Sequence, residues 1–339
     1  MKKLVDKLFR EQTLTQDELK AVLSADNDLR TYLHECARKT TVSVFGNAVY
    51  VRGLIEFTNY CKNDCLYCGL RCSNADVKRY RMSDAQIMEC CALGYANGLR
   101  TFVLQGGEDL YFTDDRLCAL IQCIKAGYPD CAVTLSLGER DKHSLRRLRE
   151  SGVDRYLLRQ ETANAALYAS LHPPEMSIDS RKQCLYDLKE LGFQVGCGFM
   201  VGVPGQTLDN ITEDLGFIAA LRPAMVGVGP FVPHSGTPLG SHPHGDLALT
   251  LNIIAILRLM NPNLLLPATT ALATIDKSGR EHAVLAGANV VMPNLTPSDV
   301  RADYLLYNNK AYENIDDVKA RLHRIEREAV TARGDYREL

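Results

Sequence analysis

The sequence predicts an α/β protein: a complete (βα)8 TIM-type barrel behind a short helical N-terminal extension. From residue 48 onward, eight apolar runs alternate with amphipathic segments. Strands that are apolar throughout belong to parallel sheets covered by helices, and eight strand–helix units close into a barrel. The unusual residues also collect just after these runs, at the strand ends where such barrels place their chemistry. A doubly wound open sheet is the competitor. It rarely needs eight equal units and usually carries a Gly-rich phosphate loop.

Residues 1–47 form the extension. Thr15 followed by Asp17, Glu18 and Leu19 spells a capped helix start, and Leu29 to Arg38 reads as a second helix. The barrel covers 48–305. Its strand-like runs are Ala48–Asn59, Thr101–Gly106, Ala132–Gly138, Arg155–Glu161, Gln194–Gly202, Met225–Pro233, Leu265–Ala271 and Ala288–Pro293. Between them lie helical segments. One starts at Ser83-Asp84-Ala85-Gln86, a capping-box spelling. Others cover roughly 113–126, 142–151, 177–191, 207–221, 247–260 and 279–286. Residues 306–339 are expected to form a C-terminal helical tail packed on the barrel, helical near 315–333.

Composition narrows the function classes. With 39 Lys and Arg against 41 Asp and Glu, no basic excess drives nucleic-acid binding. The most apolar stretches, Leu247 to Met260 and Leu264 to Ile275, are short and broken by Asn252, Arg258 and Pro267, so no membrane span is expected. The first residues carry charges every few positions, unlike a signal peptide. Twelve cysteines without an export signal point to a reducing cytoplasm rather than a disulfide framework. Cys90, Cys91, Cys118 and Cys123 fall in helical stretches and read as small hydrophobes.

Cys61, Cys65 and Cys68 are different. They stand at C-x3-C-x2-C spacing directly after the first strand-like run. Three thiolates can hold three irons of a 4Fe–4S cubane and leave the fourth open to a substrate or cofactor. A zinc site wants a fourth ligand at short spacing, and none follows. Cys72 lies close to this triad.

Each later strand end adds polar groups. Gly106-Gly107-Glu108 sets two glycines, which let backbone approach a ligand closely, beside a carboxylate. Ser136 and Glu161 offer acceptors suited to a vicinal diol. Arg181, at a helix start, can pair with a carboxylate. Arg159 should point into the barrel mouth, where Glu161 or an anionic substrate group would satisfy it. Thr269 and Thr270 offer two hydroxyls on a strand expected to be buried, though β-propensity alone explains threonine there. His234, His242 and His244 read as loop residues without a catalytic role.

The triad, with Tyr67 before its third cysteine, resembles the radical S-adenosylmethionine (SAM) enzymes. The run from about 48 to 305 resembles more specifically the HydE family of FeFe-hydrogenase maturases. The matching spellings include Ile55-Glu56-Phe57-Thr58-Asn59, Cys65-Leu66-Tyr67-Cys68-Gly69-Leu70-Arg71, Lys78-Arg79-Tyr80-Arg81-Met82, Met200-Val201-Gly202-Val203-Pro204-Gly205, Leu266-Pro267-Ala268-Thr269-Thr270-Ala271 and Val291-Met292-Pro293-Asn294. Biotin synthase and methylornithine synthase share the barrel and triad. They define the alternative reading, a radical SAM mutase or sulfur-insertion enzyme acting on a small amino acid. A plain iron–sulfur electron carrier would need a fourth cluster ligand, for which Cys72 is the sole candidate.

The resemblance implies one 4Fe–4S cluster on Cys61, Cys65 and Cys68, with no cysteine after Cys197 to hold a second. It implies SAM held by Tyr67, Gly106, Gly107, Glu108, Ser136, Glu161 and Arg181, and cleaved reductively to a 5′-deoxyadenosyl radical. The substrate implied is the iron–cysteine complex bearing CO and cyanide made by HydG, with HydF as the scaffold downstream and a ferredoxin or flavodoxin as electron donor. Thr134, Arg159, Thr269, Thr270 and Tyr304 would line the substrate pocket, with Met225 nearby. Gln160 departs from the family pattern, which carries His before Glu-Thr-Ala-Asn.

Overall fold

A computed structural model describes residues 1–24 and 26–337. Six strands form one parallel sheet in chain order: Gly53–Thr58, Thr101–Gly106, Ala132–Ser136, Arg155–Leu157, Gln194–Cys197 and Met225–Val226. Single parallel bridges close the ring. Met225 pairs with Leu265, Pro267 with Val290, and Asn294 returns to Leu54 in the first strand. The eight staves of a TIM-type barrel are therefore present, the seventh and eighth joined by bridges rather than long ladders.

Strand alternation sorts the side chains. Ile55, Phe57, Phe102, Leu104, Val133, Leu135, Tyr156, Leu158, Val195 and Val226 face outward and build the main core under the helices. Their neighbours therefore face the barrel interior: Glu56 and Thr58, Val103 and Gln105, Thr134 and Ser136, Leu157 and Arg159. Polar residues dominate the end nearest the strand C-termini, which makes that end a lined mouth.

The helices follow their sequence signals closely. Thr15 and Ser83 both make complete capping boxes, with Glu18 and Gln86 respectively. Three helices, Lys2–Glu11, Gln16–Leu23 and Asn27–Phe45, fill the extension. They pack on Leu247–Met260, whose long buried face explains its nearly unbroken apolar sequence.

Several expectations change. The runs Gln194–Gly202 and Met225–Pro233 each split, and their second halves, Met200–Val201 and Gly229–Pro230, pair as a separate two-stranded sheet. The first apolar run splits at Arg52 into Ala48–Val51 and Gly53–Thr58. The tail is helical only over Ile315–Arg324 and then forms a strand, Glu328–Val330, parallel to Ala48–Val51. Three strand residues carry no readable periodicity, so this pairing was invisible beforehand. Finally, Thr270 begins a helix, Thr270–Ile275, with Thr269 at its N-cap. Both threonines are half-buried at a strand end rather than sealed within a strand.

The tail also closes the barrel floor. Arg155 donates to the carbonyl oxygen of Arg333 (2.8 Å) and to Asp335 (2.6 Å), and Arg52 donates to the Gly334 carbonyl (3.1 Å). Access from that end is thereby blocked by hydrogen-bonded chain.

Candidate active site

The three cysteines lie in the long loop that leaves the first strand, and the loop is stapled by its own polar residues. Arg79 donates to the carbonyls of Asn59 (2.6 Å), Leu70 (2.9 Å) and Arg71 (2.7 Å). Asn59 donates to those of Lys78 and Asp303, each at 2.8 Å. Arg71 grips Asp64, which lies well below the ordinary carboxylate range because of that bond. A guanidinium with several carbonyl acceptors fixes backbone that has no regular structure of its own.

All three thiols are free and partly buried, whereas Cys72 is exposed. Burial, reinforced by Cys61, pushes the Cys68 thiol up to about 12, and burial raises Cys61 and Cys65 as well. Three thiolates close together in a low-dielectric loop need positive charge brought to them. Among the described residues, no three metal-binding groups converge as they would around a single ion. The donor chemistry, three thiols on one loop with no fourth short-spaced ligand, fits an iron–sulfur cubane better than a zinc ion.

The glycine motif touches this loop. A Cβ on Gly107 would stand 2.7 Å from the Cys61 Cβ and collide with the Tyr60 carbonyl oxygen. Glycine is required there because two backbones meet. Lys62 N–H donates to the Glu108 carbonyl (2.9 Å), and the Glu108 carboxylate accepts from the Glu139 N–H (3.1 Å). Gly138, at a φ of 73°, leaves room for that carboxylate.

Arg181 is buried and contacts Glu139 at 2.6 Å, while donating to the Arg159 carbonyl (3.1 Å). Burial works against its charge, but Tyr168 and Glu139 outweigh it and hold the guanidinium protonated. Glu139 was not singled out from the sequence, although it stands in the Ser136–Glu139 strand end. Tyr67 donates to His172 Nε2 (3.1 Å), whose Nδ1–H donates to the Tyr168 carbonyl (2.9 Å). Burial lowers His172 to about 4, so the ring is neutral and accepts. Ser136 ends its strand half-buried.

Deeper in the mouth, polar atoms are left unpaired. Thr134 Oγ1, Arg159 Nε and Nη2, and Glu161 Oε2 are buried without a hydrogen-bond partner among the described residues. Arg159 and Glu161 approach to 3.0 Å without the alignment of a hydrogen bond. Burial raises the Glu161 carboxyl, opposed by Arg159. Each unpaired buried polar group costs about 1–3 kcal/mol, so this cluster is the signature of a ligand-binding surface. Glu161 also adopts a φ of 64°, unusual for a residue with a Cβ. Gln160 holds that elbow: its Oε1 accepts from the Gly198 N–H (2.9 Å) and its Nε2 donates to Asp214 (3.1 Å).

The remaining predicted residues spread across the interior. Tyr304 is buried, and its hydroxyl accepts from Gln105 (3.3 Å). Thr270 accepts from Arg280 (3.0 Å), which in turn pairs with Glu313. Thr269 lies against Gly229. Met225 sits toward the floor, its sulfur accepting from Arg52 (2.9 Å). Sequence reading missed a buried ion pair, Glu56 with Lys310, beside Tyr304. His234 packs against Gly69 in the cysteine loop. A cleft of about 510 Å3 near Arg222 and Tyr336 contains none of the predicted residues.

Comparison with known proteins agrees with this fold. Residues 55–218 match the radical SAM superfamily. The chain is 44% identical over 310 residues to the [FeFe] hydrogenase maturase subunit HydE of Thermotoga maritima, covering 91% of this chain and 88% of that one. It is 34% identical over 327 residues to 3-methylornithine synthase of Methanosarcina acetivorans, covering 95% and 91%. The crystal structure of methylornithine synthase superposes with a TM-score of 0.86 at 30% identity, covering 96% of this chain and 97% of that one. A crystal structure of HydG does so with a TM-score of 0.85 at 19% identity, covering 97% and 76%, a likeness of fold.

Proposed function

This chain belongs to the radical SAM superfamily, and from that premise we propose that it is a HydE-type maturase of FeFe-hydrogenase. The observation that carries the reading is the 44% identity to HydE, which extends over nine-tenths of the chain. Cys61, Cys65 and Cys68 would hold a single 4Fe–4S cluster, since no cysteine follows Cys197. Tyr67, Gly106, Gly107, Glu108, Ser136, Glu161 and Arg181 would hold SAM. With both bound, the chemistry supplied is one-electron reductive cleavage of SAM.

The chain's own residues bind, orient and exclude water. Gly107 lets the Glu108 segment lie against the cysteine loop, so groups on that segment and the cluster ligands are held at fixed separation. Arg181, locked by Glu139, presents a charge that does not titrate near neutral pH. Arg159 Nε, buried without a partner among the described residues, is a donor for an anionic substrate group such as a carboxylate or cyanide. Thr134 Oγ1, Thr269 and Thr270 add hydroxyls, and Tyr304 adds a buried wall. The tail at the floor and the segment around Leu306, whose carbonyl accepts from Gly69 N–H (2.9 Å), limit access of water. The substrate assigned is the organometallic iron–cysteine complex from HydG, with HydF receiving the product.

The second reading is an amino-acid mutase like methylornithine synthase, favoured by that enzyme's superposition. Anaerobic maturation of apo-hydrogenase with HydG and HydF, with and without this protein, separates the two. Hydrogenase activity that depends on the chain and is lost in Cys65→Ala supports the maturase. Deoxyadenosine production without hydrogenase activity rejects the maturase and favours the mutase.

A further inference from the structure

Gln160 and Asp214 lie behind the barrel wall, yet both act on the segment that carries Arg159 and Glu161. Each is fully buried, and Asp214 stands on the helix Leu208–Leu221. The strand Arg155–Leu157 ends short of this segment, and Glu161 keeps only a single parallel bridge, to Phe199. In that bridge the Glu161 N–H donates to the Gly198 carbonyl (3.1 Å), and the Glu161 carbonyl accepts from the Met200 N–H (3.2 Å).

Side chains supply the rest of the support, one on each flank. Before Glu161, Gln160 Oε1 accepts from the Gly198 N–H (2.9 Å). After it, Asp214 Oδ1 accepts from the Ala163 N–H (2.7 Å). A bond from Gln160 Nε2 to the same Asp214 oxygen (3.1 Å) joins the two flanks into one clamp. A Cβ on Gly198 would collide with the Gly227 carbonyl oxygen, so the anchor itself is wedged against the next strand.

Packing alone does not call for this pair. Apolar side chains of the same shape would fill the space without burying an amide and a carboxyl. What the polar pair adds is direction. A residue with a Cβ persists in the left-handed region only where its surroundings over-determine it, and the clamp does so for Glu161. Asp214 Oδ2 has no partner among the described residues, and burial raises that carboxyl to about 7. Below that pH the clamp carries its proton and needs no counter-charge. We infer that Gln160 and Asp214 are positioning residues, which aim the Glu161 carboxylate at the vicinal diol of the SAM ribose. This inference rests on the assignment of Glu161 to SAM.

The test uses the full chain with its cluster reconstituted and reads the Kd for SAM by calorimetry, independently of turnover. Gln160→Met fills the space but can neither accept nor donate as the amide does, and Asp214→Leu removes the shared acceptor. Each should raise the Kd about tenfold. Gln160→His, whose neutral imidazole offers one acceptor and one donor, and Asp214→Asn, which keeps Oδ1, should stay within about threefold of the unaltered protein. In a Glu161→Ala background, adding Gln160→Met should change the Kd less than about twofold, because the clamp acts through Glu161 alone. A Kd unmoved by both Gln160→Met and Asp214→Leu, or a full Gln160→Met effect in the Glu161→Ala background, overturns the positioning role. A Glu161→Ala variant that binds SAM as well as the unaltered protein rejects the assignment of Glu161 itself. No SAM binding by the unaltered protein rejects the cofactor reading beneath both.

Discussion

Replacing Lys310 by Met tests how the C-terminal segment is held over the barrel. Lys310 and Glu56 are almost fully buried, with side chains 3% and 1% exposed. Glu56 keeps a second bond, from Asn294 (2.8 Å), and Lys310 also donates to the Tyr304 carbonyl (3.2 Å). Burial already raises the Glu56 carboxyl, and Lys310 is the main group opposing that rise. Removing the ammonium strands a carboxylate in the interior, which costs about 3–5 kcal/mol. For a chain of this length, at about 2.1 cal/mol/K of unfolding entropy per residue, the loss corresponds to a Tm about 4–7 °C lower.

Reversible denaturation at several pH values reads the effect. Without Lys310, the raised Glu56 pKa rises further, so its protonated form fits the fold and its ionised form does not. A raised carboxyl contributes stability that is lost as pH rises. The deficit of Lys310→Met should therefore be smaller at pH 5 than at pH 8. The double variant Glu56→Gln/Lys310→Met should recover most of the loss, because both partners have gone. A single-variant cost below about 1 kcal/mol, or a double variant no better than the single, would refute the reasoning.

Gly107→Ala should lower iron and sulfide content after anaerobic reconstitution and cost about 1–3 kcal/mol, because the new methyl meets the Tyr60 carbonyl and Cys61; full cluster loading would contradict this. Gly216→Ala is its counterpart: on the helix Leu208–Leu221 with nothing near the added Cβ, it should raise stability by about 0.5–1 kcal/mol in urea denaturation. Burial lifts Asp214 from 3.8 to about 7, so its contribution to stability is present below pH 4 and lost as pH rises to about 7. Asp214→Asn should remove that fall, and its stability relative to the unaltered protein should rise by about 2 kcal/mol between pH 5 and 7. A difference that does not change with pH would mean Asp214 is ionised in the native state.

Much of the fold was legible because it is encoded over short distances. The capping boxes at Thr15 and Ser83 read directly, since both partners lie within one turn. Leu247–Met260 has the bounds its apolar run suggested, and Thr101–Gly106 likewise. The cysteine spacing and Gly106-Gly107-Glu108 were equally visible. Their meeting was not, because Gly107 and the Tyr60–Cys61 backbone touch across two strands.

What the sequence by itself determined is the run of strands and helices, the thiol set and the polar strand ends, all properties of residues close in the chain. Only the tertiary structure decided which of these groups are paired. Arg181 meets Glu139 and Arg159 meets Glu161, whereas Thr134 keeps a buried hydroxyl without a partner among the described residues. Lys310 finds Glu56 across 254 residues, and the tail meets Arg155 across 180. Local propensity cannot specify such partners. The free energy of a buried charge depends on what surrounds it in space, and barrel closure brings the two ends of the chain together.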